Sequence, residues 1–147
     1  MRILFTGGGS GGHSFPIVAV IRELKRIAED DRILDIELFY TGPKDFGDEE
    51  LRAEEVVFIP ITTGKIRRYF SLKNITDVFK IIVGTMQAVW NVFLLTPDVI
   101  FSKGGFGAFP AVIAAIILRI PLIIHESDAA PGKVNKFSGR FAKRIGI

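Results

Sequence analysis

Arg2-Ile3-Leu4-Phe5-Thr6-Gly7-Gly8-Gly9-Ser10-Gly11-Gly12-His13 runs from a short apolar segment into a glycine loop, and from Phe15 onward Val18, Ile21, Leu24 and Ile27 recur every three residues. The apolar run suits a buried strand and the recurrence suits one face of a helix, so the stretch reads as strand, loop, helix. The pattern continues downstream. Ile36 to Thr41 reads as a second strand stopped by Gly42-Pro43, and Val56 to Ile61 as a third with Pro60 near its end. A helix is expected from about Leu72 to Leu95, ended by Thr96-Pro97. Val99 to Ser102 reads as a fourth strand, Ala108 to Leu118 as a helix with Pro110 in its first turn, and Leu122 to His125 as a fifth strand. Lys133 to Lys143 reads as another helix, with a sixth strand beginning by Ile147. Short apolar strands alternating with helices predict an α/β fold, a doubly wound, Rossmann-like parallel sheet covered on both faces. Residues 1–147 suit one domain of ordinary size, without internal repeat, low-complexity tract or linker.

Composition narrows the chemistry. There is no cysteine, which removes disulfide scaffolds, thiolate zinc sites and cysteine nucleophiles and makes a reducing cytoplasm the natural compartment. Met1-Arg2 leads straight into the first strand, without the apolar region and cleavage site of a secretory signal. The most apolar stretch, Ile81 to Leu95, is interrupted by Gly84, Thr85, Gln87 and Asn91, falls short of the roughly 20 apolar residues that cross a bilayer, and reads as a packed helix. Charge is uneven: residues 29–55 hold eleven of the sixteen acids and three of the nineteen basic residues, a net of −8 against +11 elsewhere. Two basic clusters stand out, Lys65, Arg67, Arg68, Lys73 and Lys80 interleaved with Ile66, Tyr69 and Phe70, and then Lys133, Lys136, Arg140, Lys143 and Arg144. Basic side chains beside exposed apolar ones suit an anionic membrane surface. Nucleic acid attracts the same charge, and solvated helix faces with snorkelling lysines are the plainer reading.

In a sheet of this kind ligands bind where the loops converge at the carboxyl ends of the strands. Three loops there carry glycine: Gly7 to His13 after the first strand, Lys103-Gly104-Gly105-Phe106-Gly107 after the fourth, and Glu126-Ser127-Asp128-Ala129-Ala130-Pro131-Gly132 after the fifth. The only two histidines, His13 and His125, fall on this edge. A glycine loop entering a helix lets backbone N–H groups and the helix dipole face a phosphate. Gly7, Gly9 and Gly12 match the dinucleotide spacing, but the second strand ends in Phe39-Tyr40-Thr41-Gly42 with no acid to hold a ribose, and His13-Ser14 stands where a P-loop has its lysine. His13 can take a proton from a sugar hydroxyl near neutral pH or cap its loop. His125 suits orienting its loop. Glu126 and Asp128 can bind substrate hydroxyls or act as base, and Asp128 can instead cap the turn into Pro131-Gly132. Two histidines and two acids are too few to predict a metal site.

These loops, in this order, resemble those of the MurG family. Gly7 to His13 with Phe15-Pro16 looks like its first glycine loop, with Ser10 where threonine is usual; Gly64-Lys65-Ile66-Arg67-Arg68-Tyr69-Phe70 looks like its next. Pro97 to Phe106 resembles the second glycine loop, and Ile124-His125-Glu126-Ser127-Asp128 with Pro131-Gly132 and Asn135-Lys136 the third. Phe106-Gly107-Ala108-Phe109 replaces the usual aromatic-Val-Ser run, and Ser127-Asp128 replaces Gln-Asn of many members.

The resemblance implies the N-terminal, acceptor-binding half of a two-domain GT-B glycosyltransferase, with the donor-binding domain outside this chain and the isolated domain inactive. Its reaction would move N-acetylglucosamine from UDP-N-acetylglucosamine, with inversion, to the 4-hydroxyl of undecaprenyl-linked muramoyl-pentapeptide, a step of peptidoglycan synthesis and so of cell wall biogenesis, cell shape and division. The implied place is peripheral, on the cytoplasmic face of the cell membrane, without metal, cofactor or nucleic acid. By resemblance the glycine loops, Gly104 and Gly105 among them, face the acceptor diphosphate, Ser10, Gly11, Gly12 and Asp128 also reach the donor sugar, and His13 is the candidate base; Glu126 stays a candidate substrate-binding residue. Two alternatives stand beside it: a glycolipid transferase with a diacylglycerol acceptor, which would keep the fold and the first glycine loop, and a non-catalytic subunit that binds membrane and a separate donor subunit.

Overall fold

The apolar segments become six parallel strands: β1 (Arg2–Thr6), β2 (Glu37–Gly42), β3 (Val57–Pro60), β4 (Val99–Ser102), β5 (Leu122–His125) and β6 (Arg144–Gly146). The computed structural model describes residues 1–8, 11–32, 35–43, 48–65, 73–128 and 130–147. The strands lie in the order β3-β2-β1-β4-β5-β6, and every pairing is parallel. Helices α1 (Gly11–Asp30), α2 (Asp48–Ala53), α3 (Lys73–Leu95), α4 (Phe109–Ile117, preceded by the 3₁₀ turn Phe106–Ala108) and α5 (Lys133–Ser138) make the crossovers.

Alternation along the strands divides the core. Ile3, Phe5, Leu38 and Tyr40 pack with Ile17, Val18 and Ile21 of α1 and Leu51 of α2. Leu4, Ile100, Leu122 and Ile124 pack on the other side with Ala88 and Val92 of α3 and Val112, Ala114 and Ala115 of α4. On the α1 side the register sets Phe58, Tyr40, Phe5 and Phe101 in one row across four strands. Neighbouring rings in it lie 5.7 Å apart for Tyr40 and Phe58 and 5.5 Å for Phe5 and Phe101. Rings at such separations add attraction beyond the area they bury.

The doubly wound α/β class holds, and the differences from the sequence reading lie at element ends. Helix α1 begins at Gly11, not Phe15, with Pro16 inside it; the missing proline N–H leaves the Gly12 carbonyl without its intrahelical donor. Helix α5 stops at Ser138 rather than Lys143. The Lys143 N–H is taken by the Leu122 carbonyl at 2.7 Å, so the chain has to be extended there to start β6. Helix α2 went unread because six residues are too few to display a period. Four helices are followed by a residue other than glycine in the left-handed region: Arg32, Glu55, Thr96 and Arg119, at φ 53°, 56°, 46° and 55°. After α2 and α4 the bonds Val56 N–H to Leu51 O and Ile120 N–H to Ala115 O close the Schellman pattern.

Helix α3 sits tightly on the segment after β3. A Cβ on Gly84 would run into the Thr62 carbonyl oxygen and one on Gly64 into that of Asp77, and Gln87 Oε1 accepts the Thr62 N–H at 2.8 Å. The 21 residues Ile75–Leu95 are long and apolar enough to cross a bilayer, more than the interrupted run from Ile81 indicates. Here they form a crossover helix with Ala88 and Val92 wholly buried beneath it. Its far side is bare. Gly84→Ala is expected to lower stability by about 2 kcal/mol by pushing α3 off Thr62; an unchanged denaturant midpoint would show that the helix can shift to make room.

Candidate functional site

The strand order reverses between β1 and β4, so the chain leaves these two neighbours in opposite directions and a crevice opens at their carboxyl ends. Their last residues, Thr6 and Ser102, lie level with Thr41 of β2, and all three are buried. Thr41 Oγ1 donates to the Ile59 carbonyl at 2.9 Å and Ser102 Oγ accepts the Gly104 N–H at 3.2 Å. Thr6 Oγ1, fully buried, has no partner among the described residues.

The first loop is anchored from below. Tyr40 OH donates to the Gly7 carbonyl at 3.0 Å, and a Cβ on Gly107 would meet that same carbonyl and the Pro43 ring. Gly11 and Gly12 form the start of α1, where the first N–H groups of a helix have no internal acceptor. Ser10 lies outside the described residues, and so does the side chain of His13, whose backbone is in the first turn of α1.

The second and third loops are tied to each other. Gly104 and Gly105 hold φ of 86° and 82°, and a Cβ on Gly104 would collide with the Asn135 amide. Asn135, on α5 and 5% exposed, points Nδ2 at the Lys103 carbonyl (3.3 Å), the His125 carbonyl (3.2 Å) and Glu126 Oε2 (3.0 Å). Glu126 accepts three backbone N–H groups as well, Ser127 and Asp128 on Oε1 and Gly132 on Oε2. Burial pushes its carboxyl up, but the Asp128 N–H, the Asn135 amide, the Gly132 N–H and the Lys103 charge together bring it below the usual carboxylate range. Glu126 therefore spends its oxygens shaping its own loop. Asp128 is exposed. His125 stacks on Phe101 at 6.2 Å, and its buried Nδ1 has no partner among the described residues.

The structure thus brings Gly11, Gly12, Gly104, Gly105, Glu126 and Asp128 to one edge of the sheet. Of the basic clusters, Lys65 lies 5.7 Å from the Phe106 ring, a cation–π contact reaching the second loop, and Lys80 pairs with Asp77 at 3.6 Å. Arg67 and Arg68 lie outside the described residues; Lys133, Lys136, Arg140, Lys143 and Arg144 are all exposed. Two residues absent from the sequence-derived site emerge here. Asn135 is the tie between loops, and Lys103 is a lysine only 2% exposed; both fall inside the stretches that resemble the family's second and third loops, but no sequence pattern indicated these contacts.

A family model described as glycosyltransferase family 28 N-terminal domain matches residues 3–147. The chain is 43% identical over 148 residues to the UDP-N-acetylglucosamine–N-acetylmuramyl-(pentapeptide) pyrophosphoryl-undecaprenol N-acetylglucosamine transferase of Borrelia hermsii (strain HS1 / DAH), covering 99% of this chain and 40% of that protein. It is 42% identical over 144 residues to the enzyme of the same description from Legionella pneumophila (strain Corby), covering 97% and 38%. Among solved structures it is similar to MurG of Acinetobacter baumannii, with a TM-score of 0.80 and 26% identity over 98% of this chain and 40% of that one. The chain therefore spans about 40% of the length of such relatives.

The Glu126 knot has a pH signature. A carboxyl held below its unfolded value of about 4.3 contributes stability that is complete above that pH and lost as the pH falls through the lower, folded value. Glu126→Gln should cost about 1–3 kcal/mol at neutral pH, because one amide cannot accept all four donors, and should flatten the loss of stability below about pH 4. Thermal melts of both proteins across the acid range measure this; parallel curves would detach Glu126 from the acid limb.

Proposed function

Since the chain belongs to the glycosyltransferase family 28 N-terminal domain family, we propose that it is the acceptor-side wall of an inverting transferase. That enzyme moves N-acetylglucosamine from UDP-N-acetylglucosamine to the 4-hydroxyl of undecaprenyl-diphospho-muramoyl-pentapeptide. The observation that carries the reading is 40–43% identity, along essentially the whole chain, to enzymes whose descriptions name this transfer. The facing wall, which would hold most of the UDP-sugar, belongs to the part of those relatives that this chain does not cover, whether in one polypeptide or as a partner subunit.

In the proposed reaction the acceptor oxygen attacks the anomeric carbon, the bond to UDP breaks, and the proton of the attacking hydroxyl passes to His13. Gly11 and Gly12, with Ser10 before them, offer N–H groups and the positive end of α1 to phosphate oxygens. In the second loop the Gly104 N–H is taken by Ser102 Oγ, so Gly104 and Gly105 contribute by letting a phosphate approach without meeting a side chain, and Asp128, exposed on the third loop, is free to take a sugar hydroxyl. Glu126 serves by holding Asp128 and Gly132 in place rather than by touching the sugar.

The same reading gives the chain a membrane. Ile75, Val78, Phe79, Ile82, Val83, Met86, Trp90, Phe93 and Leu94 form one helical stripe along α3, each 47% exposed or more. A continuous apolar stripe of this size is an interaction surface rather than scattered exposure. Lys65 and Lys80 border it, with Arg67 and Arg68 in the adjoining sequence. A helix with this asymmetry lies in the interface of an anionic leaflet, which would bring a membrane-bound acceptor alongside the cleft.

Two experiments test this. With the donor-binding part present, UDP-N-acetylglucosamine and the lipid-linked muramoyl-pentapeptide should support turnover, and His13→Ala should lower kcat by about 100-fold or more with far less change in KM. Turnover with diacylglycerol alone would refute the acceptor, and full turnover by His13→Ala would remove the base. Phe79→Glu with Trp90→Glu should abolish sedimentation of the chain with anionic vesicles, while charge reversal at Arg67 and Arg68 should weaken it in a salt-dependent way; indifference to both would return α3 to another use.

A further inference from the structure

One buried charge is not used by the reading above. Lys103 follows β4 directly and is among the most completely buried large side chains, 2% exposed. Its backbone is fixed from both sides: its N–H bonds the Thr6 carbonyl at 3.0 Å, and its carbonyl accepts from Asn135. Its ammonium makes no hydrogen bond or ion pair with any described residue. Withdrawing an ammonium from water costs several kcal/mol unless an opposite charge and hydrogen-bond acceptors replace the lost hydration. Glu126 feels the lysine, but its four accepted hydrogen bonds come from elsewhere, and no ion pair joins the two.

Among the described residues three buried polar atoms on this edge lack partners, Thr6 Oγ1, His125 Nδ1 and Asn135 Oδ1. The residues that follow β1 and β4 on either side of Lys103 are Gly7, Gly8, Gly104 and Gly105, so none of these four adds a side chain between the lysine and the crevice. An unsatisfied cation, an unsatisfied hydroxyl and four glycines at the switch point together describe a place for an anion with several acceptor oxygens.

We propose that Lys103 is an anion-reading residue of the cleft, its ammonium pairing with a phosphate oxygen of a diphosphate-bearing substrate seated between the first and second glycine loops. This deepens the transferase reading and rests on it only for the substrate class. Because Asn135 grips the Lys103 carbonyl and the Glu126 carboxylate together, occupation of the lysine would be felt by the third loop as well.

Inorganic pyrophosphate is the probe. Calorimetric titration should show binding to the chain, weakened at least about tenfold in Lys103→Met and kept within about threefold in Lys103→Arg, which preserves charge and donors. The unmutated protein gives a second readout that does not depend on how the variants fold: the ε-methylene NMR resonance of Lys103 should move on saturation with pyrophosphate. Absence of binding, equal binding by Lys103→Met, or an unmoved Lys103 resonance overturns the proposal. Competition by uridine diphosphate assigns the site to the nucleotide-sugar and competition by geranyl diphosphate to the lipid-linked diphosphate; displacement by neither overturns it. Sugar transfer is measured separately with the donor-binding part present, so a protein that binds pyrophosphate through Lys103 yet in that assembly moves no N-acetylglucosamine would sink the transferase reading and leave the lysine standing.

Discussion

A sheet made only of parallel strands has to be roofed on both faces, because each return of the chain is a crossover that must bury its own apolar stripe. In this molecule that requirement fixes where chemistry can occur. Helices α1 and α2 serve the side holding the Phe58-Tyr40-Phe5-Phe101 row, α3 and α4 the side holding Leu4, Ile100 and Leu122. The winding changes sense at β1 and β4, and only there do two adjacent strands send their loops apart. In the loop that leaves β4 two glycines are required because anything larger would collide: Gly104 lies against the Asn135 amide and Gly107 against the Pro43 ring and the Gly7 carbonyl. The glycines that make the loops look like phosphate binders are thus demanded first by packing.

The loop edge is held by charge as well as by shape. Four donors converge on Glu126, and the amide that supplies one of them also reaches the carbonyls of Lys103 and His125. Asn135 has only two amide protons for these three acceptors, so their geometries are interdependent. A carboxylate used in this way is unavailable as a general base, so in the proposed reaction that role would fall to His13 or to the exposed Asp128.

Much of this was legible in the sequence, and what was not has identifiable causes. Strands β4 and β5 were read at their observed ends because Pro97, Pro121 and flanking glycines punctuate them. Two helix ends were harder: α1 starts at Gly11, inside the glycine loop, and α5 stops at Ser138, where the chain extends toward β6, whereas the end of α3 at Leu95 was read as observed. The loops carrying Gly104, Gly105, Glu126 and Asp128 were found from glycine spacing and strand ends. Lys103 and Asn135 were not, because their roles depend on contacts between segments 32 residues apart, which no local pattern encodes. Glu126 was seen as a substrate ligand because sequence gives its charge but not the four donors around it.

Helix α3 connects the two surfaces that the proposed function needs. Its apolar stripe faces outward, while Gly84 and Gln87 clamp its inner face to Thr62 without room for even a methyl group. Three residues beyond Thr62, Lys65 lies over Phe106, the residue after Gly104-Gly105. The segment that leads into α3 therefore touches the loop at the switch point. If α3 rests in a leaflet as proposed, its depth would set the height of the cleft above it, and a substrate whose diphosphate emerges from that leaflet would meet loops held at a fixed distance from the lipid, with little conformational freedom left to lose on binding.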